Sequence, residues 1–147
     1  MLTRTPEQMA LTDTSRLCQE IIDLCSDAAD NADDAGVSQL MSRLAEQHRR
    51  VRRAVDERLS ILDDMPLSPD PELESLKKLA VRAKQLFASD PGTVLLDERM
   101  EDEQKLLDHL EESLKLDLPA ATRDCLEDVR MTATNALSAL NSLRINK

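Results

Sequence analysis

The chain has 147 residues, of which 19 are basic and 29 acidic, so its formal net charge is −10. This acidic balance argues against a nucleic-acid binder, because such proteins carry a basic surface. One aromatic residue, Phe87, and two glycines supply little material for strands and hairpin turns, which argues against a β fold. Hydrophobic residues make up 41% of the chain, enough for the core of a single domain over residues 1–147.

The first half of the chain predicts two long helices joined by a short turn. Apolar residues recur at three- and four-residue spacing over about 14–32 and 37–63, as on the buried face of a helix. Thr5-Pro6-Glu7-Gln8 resembles a capped helix start, with Thr5 as the N-cap. Gly36 is suited to end the first helix, since glycine readily adopts the left-handed conformation of a C-cap.

The second half predicts three more helices after a proline-rich break. Pro66, Pro69 and Pro71 end the second helix, because proline removes a backbone donor and clashes with the preceding turn. Helical spacing then covers about 72–88, 93–116 and 120–144. The outer connections are short and the middle one is long. The sequence therefore predicts an all-α, ferritin-like four-helix bundle: two antiparallel hairpins joined by a long crossover that contains a short extra helix.

The cysteines and the N-terminal residues predict a cytoplasmic location. Cys18, Cys25 and Cys125 form an odd set without framework spacing, and we interpret them as small core residues in a reducing compartment. Residues 1–9 have no apolar segment typical of a signal peptide. No apolar run approaches the roughly 20 residues that a membrane span requires, so we expect no membrane contact.

The third long helix carries a family resemblance. Residues 95–114, LLDERMEDEQKLLDHLEESL, followed by Leu116-Asp117-Leu118-Pro119, resemble an uncharacterised bacterial family of ferritin-like four-helix bundles. That family is distantly related to rubrerythrin and has no assigned activity. Glu103 matches its inner glutamate, whereas Leu110 stands where the family has an aromatic residue. The likeness extends over about residues 14–140 and includes Ala28-Ala29 and the crossover residues 73–86.

The ligands of a di-metal site are incomplete in this sequence. Such bundles need an inward Glu on two helices and a Glu-x-x-His on the other two. Glu103 and His48 are in place, but Ala45 precedes His48 by three residues and Ile22 occupies the first-helix position. The fourth helix has no histidine, and its expected inward residues are Cys125, Val129 and Thr132. The comparison implies that the di-metal site is lost and that the protein has no cofactor.

Glu103 and His48 remain as a candidate buried polar remnant. Both lie near the middle of helices that we expect to run side by side. A charged Glu on a core stripe is costly unless it is paired, so Glu103 is expected to contact His48 or Arg52. Two alternatives stay open: a mononuclear metal site completed by solvent or by Asp128, and a rotated stripe that leaves Glu103 at the surface.

A basic run on the second helix is a candidate interaction face. It consists of Arg49, Arg50, Arg52 and Arg53. These side chains could attract nucleic acid or phosphate. The third helix, however, offers five acidic residues at the matching height: Asp97, Glu98, Glu101, Asp102 and Glu103. We expect the two runs to face each other within one bundle or across a dimer, which selects orientation more than stability.

These features favour a non-enzymatic assembly, interaction or stress-related regulatory protein that forms a homodimer and binds a still unidentified protein. The short helix over 72–88 must pack on the bundle or on a second subunit, with its basic residues on the opposite face: Lys77, Lys78, Arg82 and Lys84. One alternative is a metal-dependent, di-iron type oxidase or ferroxidase-like protein, for which Glu20 or Asp23 would have to point inward. A third is a histidine phosphotransfer bundle using His48 or His109, although neither histidine is followed by the Lys and Gly of such domains.

Overall fold

A computed structural model describes residues 4–62 and 91–146. Within them the chain forms four α-helices and no strand: α1 (Pro6–Asn31), α2 (Ala35–Ile61), α3 (Pro91–Ser113) and α4 (Ala120–Ile145). The helices pack together as a four-helix bundle around one apolar core. The helix predicted over residues 72–88 lies outside the described residues.

Helix α1 begins at Pro6, ahead of the predicted start near residue 14. Thr5 and Gln8 form a reciprocal capping box: the Gln8 amide N–H donates to Thr5 Oγ1 at 3.1 Å, and the Thr5 N–H donates to Gln8 Oε1 at 2.9 Å. Thr12, Thr14 and Ser15 are buried in the first turns, so polar residues occupy core positions there. The apolar spacing is interrupted at these positions, although the helix is continuous.

Contacts near the helix ends establish the direction of each helix. Gln8 of α1 donates to the carbonyl of Leu62, which directly follows α2, at 2.9 Å, and His109 of α3 lies 3.2 Å from the Ala10 carbonyl. The ends of α2 and α3 are therefore both beside the start of α1. At the opposite end of the bundle, Arg144 of α4 contacts Asp97 of α3 at 2.5 Å. Accordingly α2 and α3 run parallel to each other and antiparallel to α1 and α4.

The helices are arranged around the core in the order α1, α2, α4, α3. Helix α1 packs mainly against α2 and α3, and α4 packs against the same two helices. Helices α2 and α3 therefore lie on a diagonal of the bundle. This corrects the expectation that they run side by side. Short connections bring α1 to α2 and α3 to α4, but helical spacing does not decide which helices of the two hairpins become neighbours.

The inner face of α4 differs from the one expected from its sequence. The buried residues of α4 are Thr122, Leu126, Val129, Ala133, Ala136 and Leu140. Val129 is buried as expected, whereas Cys125 and Thr132 are only half-buried. On α3, Leu106 is fully buried and Leu107 is not.

Within residues 4–62 and 91–146, no helix combines the length and the apolar character that a membrane span requires.

Candidate functional site

A buried histidine–glutamate pair connects α2 and α3 through the centre of the bundle. His48 is fully buried and Glu103 is 1% exposed. The Nε2 atom of His48 lies 2.8 Å from one carboxylate oxygen of Glu103 and 3.0 Å from the other. The structure thus brings together the two residues that the sequence singled out, across the diagonal rather than between neighbouring helices. Glu103 lies in the core and not at the surface.

Both ring nitrogens of His48 are engaged. Nδ1–H donates to the Leu44 carbonyl, with 2.7 Å between Nδ1 and the oxygen, and this bond leaves Nε2 facing Glu103. Burial acts to lower the pKa of His48, but the contact with Glu103 and the bond to Leu44 outweigh it and raise the pKa. Burial also raises the pKa of Glu103, and His48 offsets part of that rise. Because Nδ1–H faces Leu44, the 2.8 Å contact of Nε2 with the carboxylate requires one proton shared between His48 and Glu103.

Arg99 lies one helical turn before Glu103 on α3, and together with His48 and Glu103 it forms a buried polar layer. It is 3% exposed, and its Nη2 lies 2.8 Å from Asp102 Oδ2. Its Nε and Nη1 atoms are buried without a hydrogen-bond partner among the described residues. Sequence reasoning missed Arg99, although its spacing could have revealed it. Leu96, Arg99 and Glu103 follow one another at three- and four-residue intervals on the buried face of the helix.

The three cysteines are protonated thiols because burial raises the pKa of each. Cys18 and Cys25 are buried and free, and Cys125 is half-buried and free. Burial raises the pKa of Cys25 to about 12, against a smaller lowering by Arg99. Burial likewise raises the pKa of Cys125 to about 11 and the pKa of Cys18 still further. A thiol is a poor metal ligand or nucleophile until it ionises, so these three residues serve as apolar packing.

The donor set at the centre does not fit a di-metal site. Ile22 on α1 and Val129 on α4 are buried and apolar. Glu20 and Asp23, which a metal site would need to point inward, are half-buried, and Asp128 is exposed. No group of three His, Cys, Asp or Glu side chains able to hold a metal ion occurs in residues 4–62 and 91–146. Of the ligands considered from the sequence, His48 and Glu103 are buried, whereas Glu20, Asp23 and Asp128 are not.

The basic run of α2 binds α1 rather than α3. Arg49 donates to Ser26 Oγ at 2.8 Å, and Arg52 donates to Ser15 Oγ at 3.2 Å and also to Gln19. Because α3 lies on the diagonal from α2, the expected pairing of this run with acidic residues of α3 within one bundle is wrong for Arg49 and Arg52. Arg50 and Arg53 are exposed. A groove of about 290 Å³ lies beside the run, lined by Gln19, Ile22, Asp23, Arg49, Arg52, Arg53 and Asp56.

The second histidine has a structural environment of its own. His109 Nε2 lies 2.9 Å from Thr14 Oγ1 and 3.2 Å from the Ala10 carbonyl, so it ties the end of α3 to the start of α1. The Thr14 hydroxyl in turn donates to the Ala10 carbonyl at 2.7 Å. These bonds satisfy polar groups near the end of the bundle and leave His109 half-buried.

Comparison with protein families, with curated proteins and with solved structures finds no match to this chain. The chemistry of the site therefore rests on its own residues.

Proposed function

We propose that the chain is a ferritin-like, non-enzymatic bundle that acts in assembly, interaction or stress-related regulation through its surface. In this proposal the His48–Glu103 pair replaces a lost di-metal centre. The direction of the helices supports the ferritin-like assignment, because α2 ends at one end of the bundle and α3 begins at the other. A cytoplasmic location, consistent with three free cysteines, belongs to the same proposal.

One observation carries the non-enzymatic assignment: the two potential ligands at the centre contact each other directly. Glu103 directs both carboxylate oxygens at His48 Nε2, and the other ring nitrogen of His48 is taken by Leu44. A metal ion would have to displace the proton that the pair shares and would find apolar residues on α1 and α4. The pair is thus a direct polar contact in the core, in which Glu103 Oε2 is hydrogen-bonded to His48 and Glu103 Oε1 has no hydrogen-bond partner among the described residues.

Elemental analysis of protein purified without chelators tests this proposal. We expect iron, manganese and zinc far below one equivalent per chain, also after incubation with each ion and gel filtration. The double variant His48→Leu/Glu103→Leu should give the same low content. Glu101→Gln serves as a matched control, because Glu101 is an exposed carboxylate on the same helix.

Near-stoichiometric metal in the wild type and in Glu101→Gln, but not in the double variant, would overturn the proposal. It would favour the alternative, a metal-dependent oxidase or ferroxidase-like protein. The phosphotransfer alternative is disfavoured by the complete burial of His48, since a phosphate-accepting nitrogen must reach a second protein. The structure gives His109 a part-buried position with a hydroxyl partner, which offers no better acceptor.

A further inference from the structure

The outward face of α4 is uncharged over its C-terminal half, in a chain of which 33% of the residues are charged. Residues 131–143, MTATNALSALNSL, contain no charged side chain. Val129, Ala133, Ala136 and Leu140 turn one side of the helix into the core. The opposite side is exposed and consists of Met131, Thr134, Asn135, Ser138, Asn141, Ser142 and Ile145. We call this set the α4 outer face.

Large apolar side chains lie at both ends of the α4 outer face. Met131 is 65% exposed and Ile145 is 71% exposed. Among the large apolar side chains of the described residues, only Ile61 of α2, at 69%, is exposed to a similar degree. Met131 and Ile145 are fourteen residues apart, which corresponds to about 21 Å along the helix. Beside Met131 opens a groove of about 640 Å³ between α3 and α4, lined by Leu107 and by charged side chains that include Glu111, Glu127, Asp128 and Arg130.

We propose that the α4 outer face is the interface of a homodimer in which two α4 helices pack antiparallel about a two-fold axis at Ser138. In that arrangement Met131 lies opposite the partner's Ile145, because the two residues are equally distant from Ser138. Thr134 lies opposite the partner's Ser142 in the same way. Asn135 lies opposite the partner's Asn141, so an amide faces an amide that can both donate and accept. The face is therefore complementary to itself, as a two-fold interface must be.

Charge explains why a second copy fits this face. Two chains that each carry a net charge of −10 repel each other, and α3 presents exposed acidic residues such as Glu101 and Glu111. The seven side chains of the α4 outer face carry no charge, so pairing this face with itself sets no like charges of the face against each other. Its small central side chains also allow the helix axes to come close. A contact about 21 Å long is modest in area, so the dimer should be weak and concentration-dependent.

This inference goes beyond the proposed function, because it holds whether or not the centre of the bundle binds a metal. It is tested by the mass of the full chain in sedimentation equilibrium over a range of concentrations. We expect the wild-type mass to rise with concentration from 16.5 kDa towards twice that value. Ser138→Glu and Ser138→Lys each place like charges against each other at the axis. Each variant alone should dimerise at least about 10-fold more weakly.

An equimolar mixture of Ser138→Glu and Ser138→Lys should restore dimerisation, because opposite charges then meet at the axis. Ser42→Glu and Ser42→Lys are matched controls at an exposed position of α2 and should leave the dimer unchanged. A wild type of single-chain mass at all concentrations would overturn the proposal. So would a dimer that Ser138→Glu does not weaken, or a mixture that is no stronger than either variant. Far-UV circular dichroism of each variant confirms that the bundle is folded.

Discussion

Replacing His48 and Glu103 by leucine, singly and together, measures what the buried pair contributes. In His48→Leu, Glu103 stays 1% exposed with its partner gone, which should cost about 3–5 kcal/mol of unfolding free energy. In Glu103→Leu, the histidine can turn neutral while Nδ1–H keeps its bond to Leu44, so only Nε2 loses a partner. That loss should cost about 1–3 kcal/mol. The His48 substitution is thus expected to be the more damaging of the two.

The double variant His48→Leu/Glu103→Leu removes both polar groups from the core. Replacing a buried polar pair by apolar side chains of similar volume is neutral or stabilising by about 1–4 kcal/mol. We therefore expect the double variant to be at least as stable as the wild type, so that the two single losses do not add.

Urea unfolding at neutral pH, followed by far-UV circular dichroism, gives the four free energies of this cycle. Glu101→Leu, at an exposed position of α3, should change stability by less than about 0.5 kcal/mol and controls for leucine on this helix. Additive losses, with the double variant the least stable protein, would refute the reasoning. They would show that each side chain has partners other than the opposite member of the pair.

Four further predictions concern pH, the polar layer, the helix start and the thiols. Because the pKa of His48 is raised in the folded state, its contribution is complete below about pH 6.5 and is lost as the pH rises through the raised value. The unfolding free energy should therefore fall between about pH 6.5 and the raised pKa by at most about 1.4 kcal/mol per pH unit. This slope should vanish in His48→Leu/Glu103→Leu. Arg99→Met should cost less than about 1 kcal/mol in urea unfolding, because two buried nitrogens of Arg99 have no partner among the described residues and Asp102 can be hydrated. A loss of several kcal/mol would instead indicate that bound water or an ion satisfies these nitrogens. Thr5→Ala should cost about 1 kcal/mol in thermal unfolding by removing the cap of α1, whereas Thr5→Asn should restore most of it. A disulfide reagent should modify Cys125 before Cys18 and Cys25 in the native protein, and modification of all three at one rate would contradict their burial.

The helices could be predicted from the sequence because their core faces are apolar at regular spacing. Leu40, Leu44 and Leu59 of α2 are all buried, as their spacing indicates. The apolar pattern indicates a start near residue 14 and not at Pro6, because the buried positions of Thr12 and Ser15 hold polar residues that interrupt it. The capping box at Thr5 was visible in the sequence and was the better guide to where the helix begins.

The contents of the polar layer were harder to predict than its existence. Glu103 on a core stripe calls for a partner in any arrangement of the helices, so His48 could be named from the sequence. Arg99 was missed because a charged residue between Leu96 and Glu103 is ordinarily assigned to the surface. Within one bundle, Arg49 and Arg52 contact α1 and not the expected acidic residues of α3, because their partners depend on which helices are neighbours. Helical spacing carries no information on that choice.

The diagonal position of α2 and α3 gives the His48–Glu103 contact a role that neighbouring helices would not need. Helices on a diagonal share little packing surface, so apolar contacts alone fix their relative height weakly. A shift of α3 by one helical turn, about 5.4 Å, would separate His48 from Glu103 and leave both unpaired in the core. The resulting penalty of several kcal/mol disfavours every such shifted arrangement. A polar pair that contributes little to net stability can therefore select one register between the two hairpins.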